Sequence, residues 1–162
     1  MNAPTLLMKE EREFDTMGSY NHSLVQGNLA YLVRKHSDYS AFVELSLDVS
    51  LLDRAKFPDV RDELKPDVCA YPKRSVMDLD ILVMSEMPLL VIEIVSPRQG
   101  LLEIVKKFQA YFALGIPSCW LVDPITTVAR VYHPHKVPHT FSAQEVVDEV
   151  ANIKIPVTEI FQ

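Results

Sequence analysis

The chain has 162 residues, 48% of them hydrophobic and 23% charged, a composition that is typical of one folded domain and excludes wholesale disorder. Its 16 basic and 22 acidic residues give a net charge of −6, which excludes coating of nucleic acid by bulk positive charge. A local basic groove or an anionic metal pocket remains compatible with this charge. Residues 1–18 are polar and aperiodic, so the sequence predicts a lead-in segment followed by a single domain at 19–162.

No apolar run has the length of a membrane span or a secretory signal, because the longest one, residues 87–95, is interrupted by Glu93. The two cysteines, Cys69 and Cys119, lie within apolar stretches and are expected to be buried and reduced. We therefore expect a cytoplasmic protein that makes no contact with a membrane.

The first half of the chain predicts one helix and two strands. Residues 19–35 have helical spacing, with an apolar face made of Leu24, Leu29, Leu32 and Val33. Residues 42–49 alternate and predict a half-buried strand, and residues 66–71 predict a strand that is closed by Pro72. The charged stretch 51–64 between them is expected to be a loop.

The second half begins with an unassigned segment, 77–86, and then a nearly continuous apolar run at 89–95, which predicts a central strand covered on both faces. A helix is expected at 101–114 and ends at Gly115; its apolar stripe consists of Leu102, Val105, Phe108, Tyr111 and Phe112. We expect a buried strand at 119–122, an edge strand at 127–132, one more pairing at 140–147 and a final helical turn at 158–162. This order predicts an α/β fold with one mixed β-sheet flanked by helices.

Polar residues stand at three places where the pattern favours apolar ones. Asp67 heads a strand, Glu93 lies in the middle of the most hydrophobic strand, and Glu103 and Lys107 are one turn apart on the next helix. An unpaired carboxylate at position 93 costs several kcal/mol, so it needs a partner, a metal or a water-filled cleft. Two carboxylates on adjacent strands suit Mg²⁺, with Mn²⁺ as a substitute and the carbonyl of Ile94 as a further oxygen ligand.

Plainer interpretations of these residues stay open at this point. Asp67 could cap a turn, and Glu93 could pair with a buried lysine or arginine for packing alone. Glu103 and Lys107 could form an ordinary solvated ion pair on the helix surface.

Several motifs resemble one known family. They are Pro66-Asp67, residues 91–97 (VIEIVSP), residues 107–111 (KFQAY), residues 115–117 (GIP) and residues 120–124 (WLVDP). In this order and spacing they are similar to the Uma2 (Uma two) family, restriction-endonuclease-like proteins abundant in cyanobacteria and placed in the PD-(D/E)XK nuclease superfamily. The resemblance runs from about residue 21 to residue 132 and implies a restriction-endonuclease-like core.

The resemblance also implies roles for individual residues. Asp67 and Glu93 match the two acidic positions, which implies that they hold the metal. The usual lysine would fall at Val95, where this chain has none, and Lys107 on the following helix takes that role. Glu103 would orient Lys107 or reach the metal through water.

Two departures from the family pattern concern the beginning of the domain. Relatives carry a strand and hairpin before the histidine that matches His22, and none is found in residues 1–20. Relatives also carry an acidic residue on the first helix, where this chain has Gln26 and Asn28. His22 and Gln26 are candidates for binding substrate, with an exposed helix start as the alternative. Arg98 is a further candidate, for a phosphate at the mouth of the site, with a solvated loop arginine as the alternative.

These observations predict a magnesium-dependent endonuclease-like phosphodiesterase that acts on nucleic acid, with DNA as the expected partner. In this prediction a lysine positions or deprotonates the attacking water. The alternative is a catalytically inactive nuclease-fold module that binds or regulates, or a subunit of a complex. A homodimer is compatible with either prediction.

Overall fold

The structure is a computed structural model that describes residues 18–162, so the predicted lead-in lies outside the described residues except for Gly18. The helices are α1 (Tyr20–His36), α2 (Leu101–Ala113) and α3 (Val157–Ile160). The strands are β1 (Tyr39–Val43), β2 (Leu47–Asp48), β3 (Glu63–Leu64), β4 (Val68–Pro72), β5 (Leu90–Ile94), β6 (Cys119–Asp123), β7 (Val128–Tyr132), β8 (His139–Phe141), β9 (Glu145–Asp148) and β10 (Ile153–Pro156).

One six-stranded sheet, in the order β1-β4-β5-β6-β7-β8, forms the centre of the molecule. Every neighbouring pair is antiparallel except β5 and β6, which run parallel. A parallel neighbour needs a crossover connection, and α2 provides it. The mixed α/β sheet predicted from the sequence is therefore confirmed.

The two faces of the sheet are covered by different elements. One core contains the apolar side of α1, the β9–β10 hairpin and α3, and the other contains α2 together with β2 and β3. All five residues of β5 are buried, as expected for a central strand covered on both sides. Both cysteines are buried and free, as predicted.

The apolar faces of the two long helices differ in part from the prediction. Val25, not Leu24, completes the buried face of α1, and Leu24 is 40% exposed. Leu102 of α2 is also exposed, while Ile104 is buried. Each helix carries apolar residues on more than one side, so helical spacing alone did not identify the side that packs on the sheet.

Two strand predictions also change. The single strand expected at 42–49 is divided into β1 and β2, because Glu44 adopts a left-handed backbone conformation with φ of 53° that extended strands do not accommodate. The strand at 127–132 is not an edge strand, since β8 pairs with it on the outer side. The expected pairing at 140–147 is divided between β8 and β9.

The buried carboxylate of Asp148 connects the β9–β10 hairpin to the sheet by hydrogen bonds. Asp148 is 1% exposed, and its Oδ2 accepts hydrogen bonds from the indole N–H of Trp120, at 2.7 Å, and from the hydroxyl of Ser118. Its Oδ1 accepts the backbone N–H groups of Val150 and Ala151, each at 3.0 Å, and lies 3.0 Å from Nε2 of His133. One side chain therefore connects the hairpin with β6 and with the end of β7.

Two glycines should respond in opposite directions to substitution by alanine. Gly115 ends α2 with φ of 91°, and its N–H and that of Ile116 donate to the carbonyls of Phe112 and Tyr111. Gly115→Ala should lower the free energy of unfolding by about 1 kcal/mol, because a Cβ disfavours the left-handed conformation. Gly27 lies inside α1 with open space around it. Gly27→Ala should raise the free energy of unfolding by about 0.5–1 kcal/mol, because alanine favours the helix more than glycine does.

Urea denaturation of the two variants beside the wild type measures both changes. Equal destabilisation by both substitutions would contradict the expectation. At neither position would the added Cβ come within 4 Å of atoms beyond the neighbouring residues of the chain, so the backbone conformation is what distinguishes the two sites.

In residues 18–162, no helix is both long enough and apolar enough to span a membrane.

Candidate functional site

Asp67 and Glu93 lie at one end of the sheet, where β4 begins and β5 ends. Because these strands are antiparallel, Asp67, immediately before β4, lies beside the end of β5. Side chains alternate along a strand, and the buried neighbours of Glu93 divide accordingly: Val91 packs in the core under α2, while Ile92 and Ile94 pack in the core under α1. Glu93 therefore faces α2.

Asp67 is held by three residues from two elements, α1 and β5. Its Oδ2 accepts the backbone N–H of Ile94 at 2.7 Å, and its Oδ1 lies 3.1 Å from Nε2 of His22 at the start of α1. Its main-chain carbonyl accepts a hydrogen bond from the side-chain amide of Gln26 at 2.9 Å. These long-range contacts argue against the interpretation of Asp67 as a simple turn cap.

Glu93 is held by two residues of α2 that are one helical turn apart. The hydroxyl of Tyr111 donates to Oε1 at 2.7 Å, and the Lys107 ammonium lies 3.5 Å from Oε2. The Glu93 side chain is 2% exposed and that of Lys107 is 30% exposed. The carboxylate itself is therefore buried, and the residue that connects it with the surface is the partly exposed Lys107.

The surroundings of Glu93 and His22 raise the pKa of both residues. Burial, with a smaller contribution from the negative charge of Asp67, raises the pKa of Glu93 to about 7 against the opposing effect of the positive Lys107. The contact with Asp67 raises the pKa of His22 above its ordinary value, although burial acts in the opposite direction. A cation placed between Asp67 and Glu93 would relieve the repulsion between the two carboxylates.

The other predicted residues differ in their exposure and contacts. Glu103 is exposed in the first turn of α2, and within residues 18–162 the ion pair of Lys107 is with Glu93 and not with Glu103. Arg98 is exposed in the segment between β5 and α2. Ile94 contributes its N–H to Asp67, while its carbonyl as a metal ligand stays a prediction.

His22 and Gln26 are brought to the site, but their contacts are with Asp67. His22 is 8% exposed, so the alternative of an exposed helix start does not apply to its side chain. Its Nδ1 is buried and has no hydrogen-bond partner in the part of the chain that the structure describes. A role of either residue in binding substrate stays a prediction.

The donor set can be compared with the needs of a divalent cation. Among residues 18–162, no three histidine, cysteine, aspartate or glutamate side chains are grouped as a metal-binding cluster. Two carboxylates from neighbouring segments are present, and Mg²⁺ is bound in many proteins through one or two carboxylates while it keeps several waters. Asp67 and Glu93 therefore fit a hard cation of this kind.

Sequence reasoning missed Tyr111 as a residue of the site and assigned it only to the apolar stripe of the helix. The available signal was its position four residues after Lys107, which places both side chains on the same side of α2. A tyrosine on a buried helix face carries a hydroxyl that needs a partner, and the nearest buried acceptor predicted from the sequence is Glu93.

The fold defines the class of this protein, a mixed α/β protein with a nuclease-like fold. The family model described as "Uma2: Putative restriction endonuclease" matches residues 12–158, and the chain belongs to this family. A crystal structure of a "putative nuclease belonging to DUF820" from Anabaena variabilis ATCC 29413 is similar, with a TM-score of 0.68 and 21% sequence identity. The match covers 90% of this chain and 82% of that one. No curated protein matches the chain.

Proposed function

We propose that this protein hydrolyses phosphodiester bonds in nucleic acid, with DNA as the substrate and Mg²⁺ as the cofactor. The observation that carries the proposal is the buried carboxylate of Glu93, held within the central strand and beside both Asp67 and a partly exposed lysine. A carboxylate buried among apolar residues is costly, and its contact with a lysine that is partly exposed favours a role in chemistry over one in packing.

Asp67 and Glu93 would hold the cation. A bound Mg²⁺ supplies charge that offsets the developing negative charge on the phosphate and makes a bound water more acidic. His22, Gln26 and the N–H of Ile94 hold Asp67 in place, so its carboxylate does not need to reorganise when substrate arrives.

The ammonium of Lys107 is the group of this chain that is best placed to act on water. It lies on the solvent side of Glu93, where it would orient the attacking water or stabilise charge on a phosphate oxygen. Glu103, one turn earlier on α2, would act on this lysine through water, and Arg98 would meet the phosphate at the mouth of the site.

Cleavage of supercoiled plasmid by the purified chain with Mg²⁺ or Mn²⁺, and with a chelator as the blank, tests the proposal. Lys107→Met should reduce the cleavage rate about 100-fold, the usual cost of losing one group that stabilises transition-state charge. Lys106→Met is the matched control, because Lys106 is the exposed neighbour on the same helix. Absence of metal-dependent cleavage by the wild type, or equal loss in both variants, would overturn the proposal.

One observation favours a second candidate, a nuclease-fold module that binds or regulates without cutting. Each site carboxylate is already satisfied by this chain, Asp67 by His22 and the N–H of Ile94, and Glu93 by Tyr111 and Lys107. Calorimetry with Mn²⁺ separates the two candidates, since no heat of binding at millimolar metal would favour the non-cutting module.

A further inference from the structure

We propose that Tyr111 is a positioning residue that holds Oε1 of Glu93, so that Oε2, the oxygen beside the partly exposed Lys107, is the one left for a cation. This inference rests on the proposed function, because it concerns how the same carboxylate meets a cation. It adds a residue that the helical spacing assigned only to the apolar core.

The two oxygens of Glu93 have different surroundings. Oε1 receives the hydroxyl of Tyr111 at 2.7 Å, and the tyrosine itself is fully buried. Oε2 is the oxygen nearer to Lys107, whose side chain is 30% exposed. One oxygen therefore contacts a fully buried residue, and the other contacts a residue whose side chain is partly exposed.

The packing of Tyr111 in the core needs its aromatic ring but not its hydroxyl. Tyr111 belongs to the apolar core under α2 and packs near Phe108, with ring centroids 6.5 Å apart, so phenylalanine would fill the same space. Within the described residues, the hydrogen bond of its hydroxyl is the one to Glu93. A buried hydroxyl without a partner costs free energy, so the tyrosine and the glutamate depend on each other.

The backbone around Tyr111 is also fixed. Its carbonyl accepts the N–H of Ile116 at 3.1 Å, in the turn that Gly115 closes at the end of α2. Because the hydroxyl of Tyr111 stands on a fixed helix end, it restricts the rotation of the Glu93 carboxylate. Residues that hydrogen-bond to a metal ligand in this way commonly raise metal affinity 10–100-fold. Oε2 is therefore presented in one orientation before any cation arrives.

The first experiment needs no metal. With ¹³C-labelled glutamate carboxyl carbons, the Glu93 signal is identified by its absence in Glu93→Gln. Tyr111→Phe should move this signal, whereas Tyr132→Phe should leave it in place. Tyr132 is the matched control because it packs on the same Phe108 ring, at 5.1 Å between centroids, and its hydroxyl makes no hydrogen bond within residues 18–162. An unmoved signal in Tyr111→Phe would overturn the inference.

The second experiment measures Mn²⁺ affinity by calorimetry in the wild type, in Tyr111→Phe and in Tyr132→Phe. We expect Tyr111→Phe to weaken binding about 10–100-fold and Tyr132→Phe to change it less than about twofold. If the wild type binds Mn²⁺ and Tyr111→Phe binds it equally well, the inference fails and the proposed function stands. If the wild type binds no Mn²⁺ at millimolar concentration, the proposed metal chemistry fails, and the positioning of Glu93 for a cation fails with it.

Discussion

Glu93→Gln should remove metal-dependent cleavage and leave the protein folded. The amide oxygen of glutamine can still accept the hydroxyl of Tyr111, which at present donates to Oε1 at 2.7 Å, so the core under α2 keeps its hydrogen bond. The charge that would hold a cation is lost, however. Loss of a residue that hydrogen-bonds to a metal ligand commonly lowers metal affinity or activity 10–100-fold. Loss of the ligand itself should therefore lower the cleavage rate at least ~100-fold.

Rates of plasmid nicking with Mn²⁺ over a range of protein concentrations measure this loss, and circular dichroism reports the fold of the variant. Glu149→Gln is the matched control, because this glutamate is exposed in the turn between β9 and β10. Nicking that survives in Glu93→Gln at the wild-type rate would mean that the activity comes from another group or another protein in the preparation.

The second large effect concerns stability and lies away from the site. Asp148→Asn should lower the free energy of unfolding by about 3 kcal/mol at pH 7. The carboxylate accepts from five surrounding groups, and an amide nitrogen at either oxygen position would face donors instead of accepting from them. A buried donor without an acceptor carries most of this cost.

The effect should also depend on pH in a defined direction. Burial alone would raise the pKa of Asp148, but the hydrogen bonds from Ala151, Ser118, Trp120 and His133 outweigh it and lower the pKa below the ordinary value of 3.8. A carboxyl with a lowered pKa in the folded state stabilises the protein above its unfolded pKa, and the gain is lost as the pH falls through the folded pKa. The difference between wild type and Asp148→Asn should therefore shrink below about pH 4.

Urea denaturation at pH 7 and at several values below pH 4 measures both the size and the trend. Asp123→Asn is the control: Asp123 caps an exposed turn through the N–H of Ile125 and the hydroxyl of Thr126, a role that asparagine also performs. If the two variants lose equal stability, the buried network around Asp148 is not what stabilises the hairpin.

Much of the centre of the fold could be predicted because its signals are local. A continuous apolar run identified β5 as the central strand, and one carboxylate inside it identified Glu93. Glycine at position 115 identified the end of α2. In each case the physical reason, burial on both faces or a left-handed backbone, acts on a few consecutive residues.

The contacts that escaped prediction join residues far apart in the chain. The partners of Asp148 include Ser118, 30 residues away, and nothing near either residue in the sequence specifies the pair. Tyr111 was assigned correctly to the core, but the partner of its hydroxyl could not be predicted, because the hydrogen bond to Glu93 forms only when α2 packs on β5. Leu24 was placed on the wrong side of α1 for the same reason, since the sheet decides which apolar side is covered.

The crossover that makes β5 and β6 parallel has a consequence for how the site assembles during folding. Lys107 and Tyr111 are only 14 and 18 residues from Glu93, so this half of the site closes a short loop. The contacts of Asp67 with Ile94 and Gln26 span 27 and 41 residues and need α1, β4 and β5 together. Because longer loops cost more entropy to close, the Glu93 half should form early, and Asp67 should join when the sheet is complete.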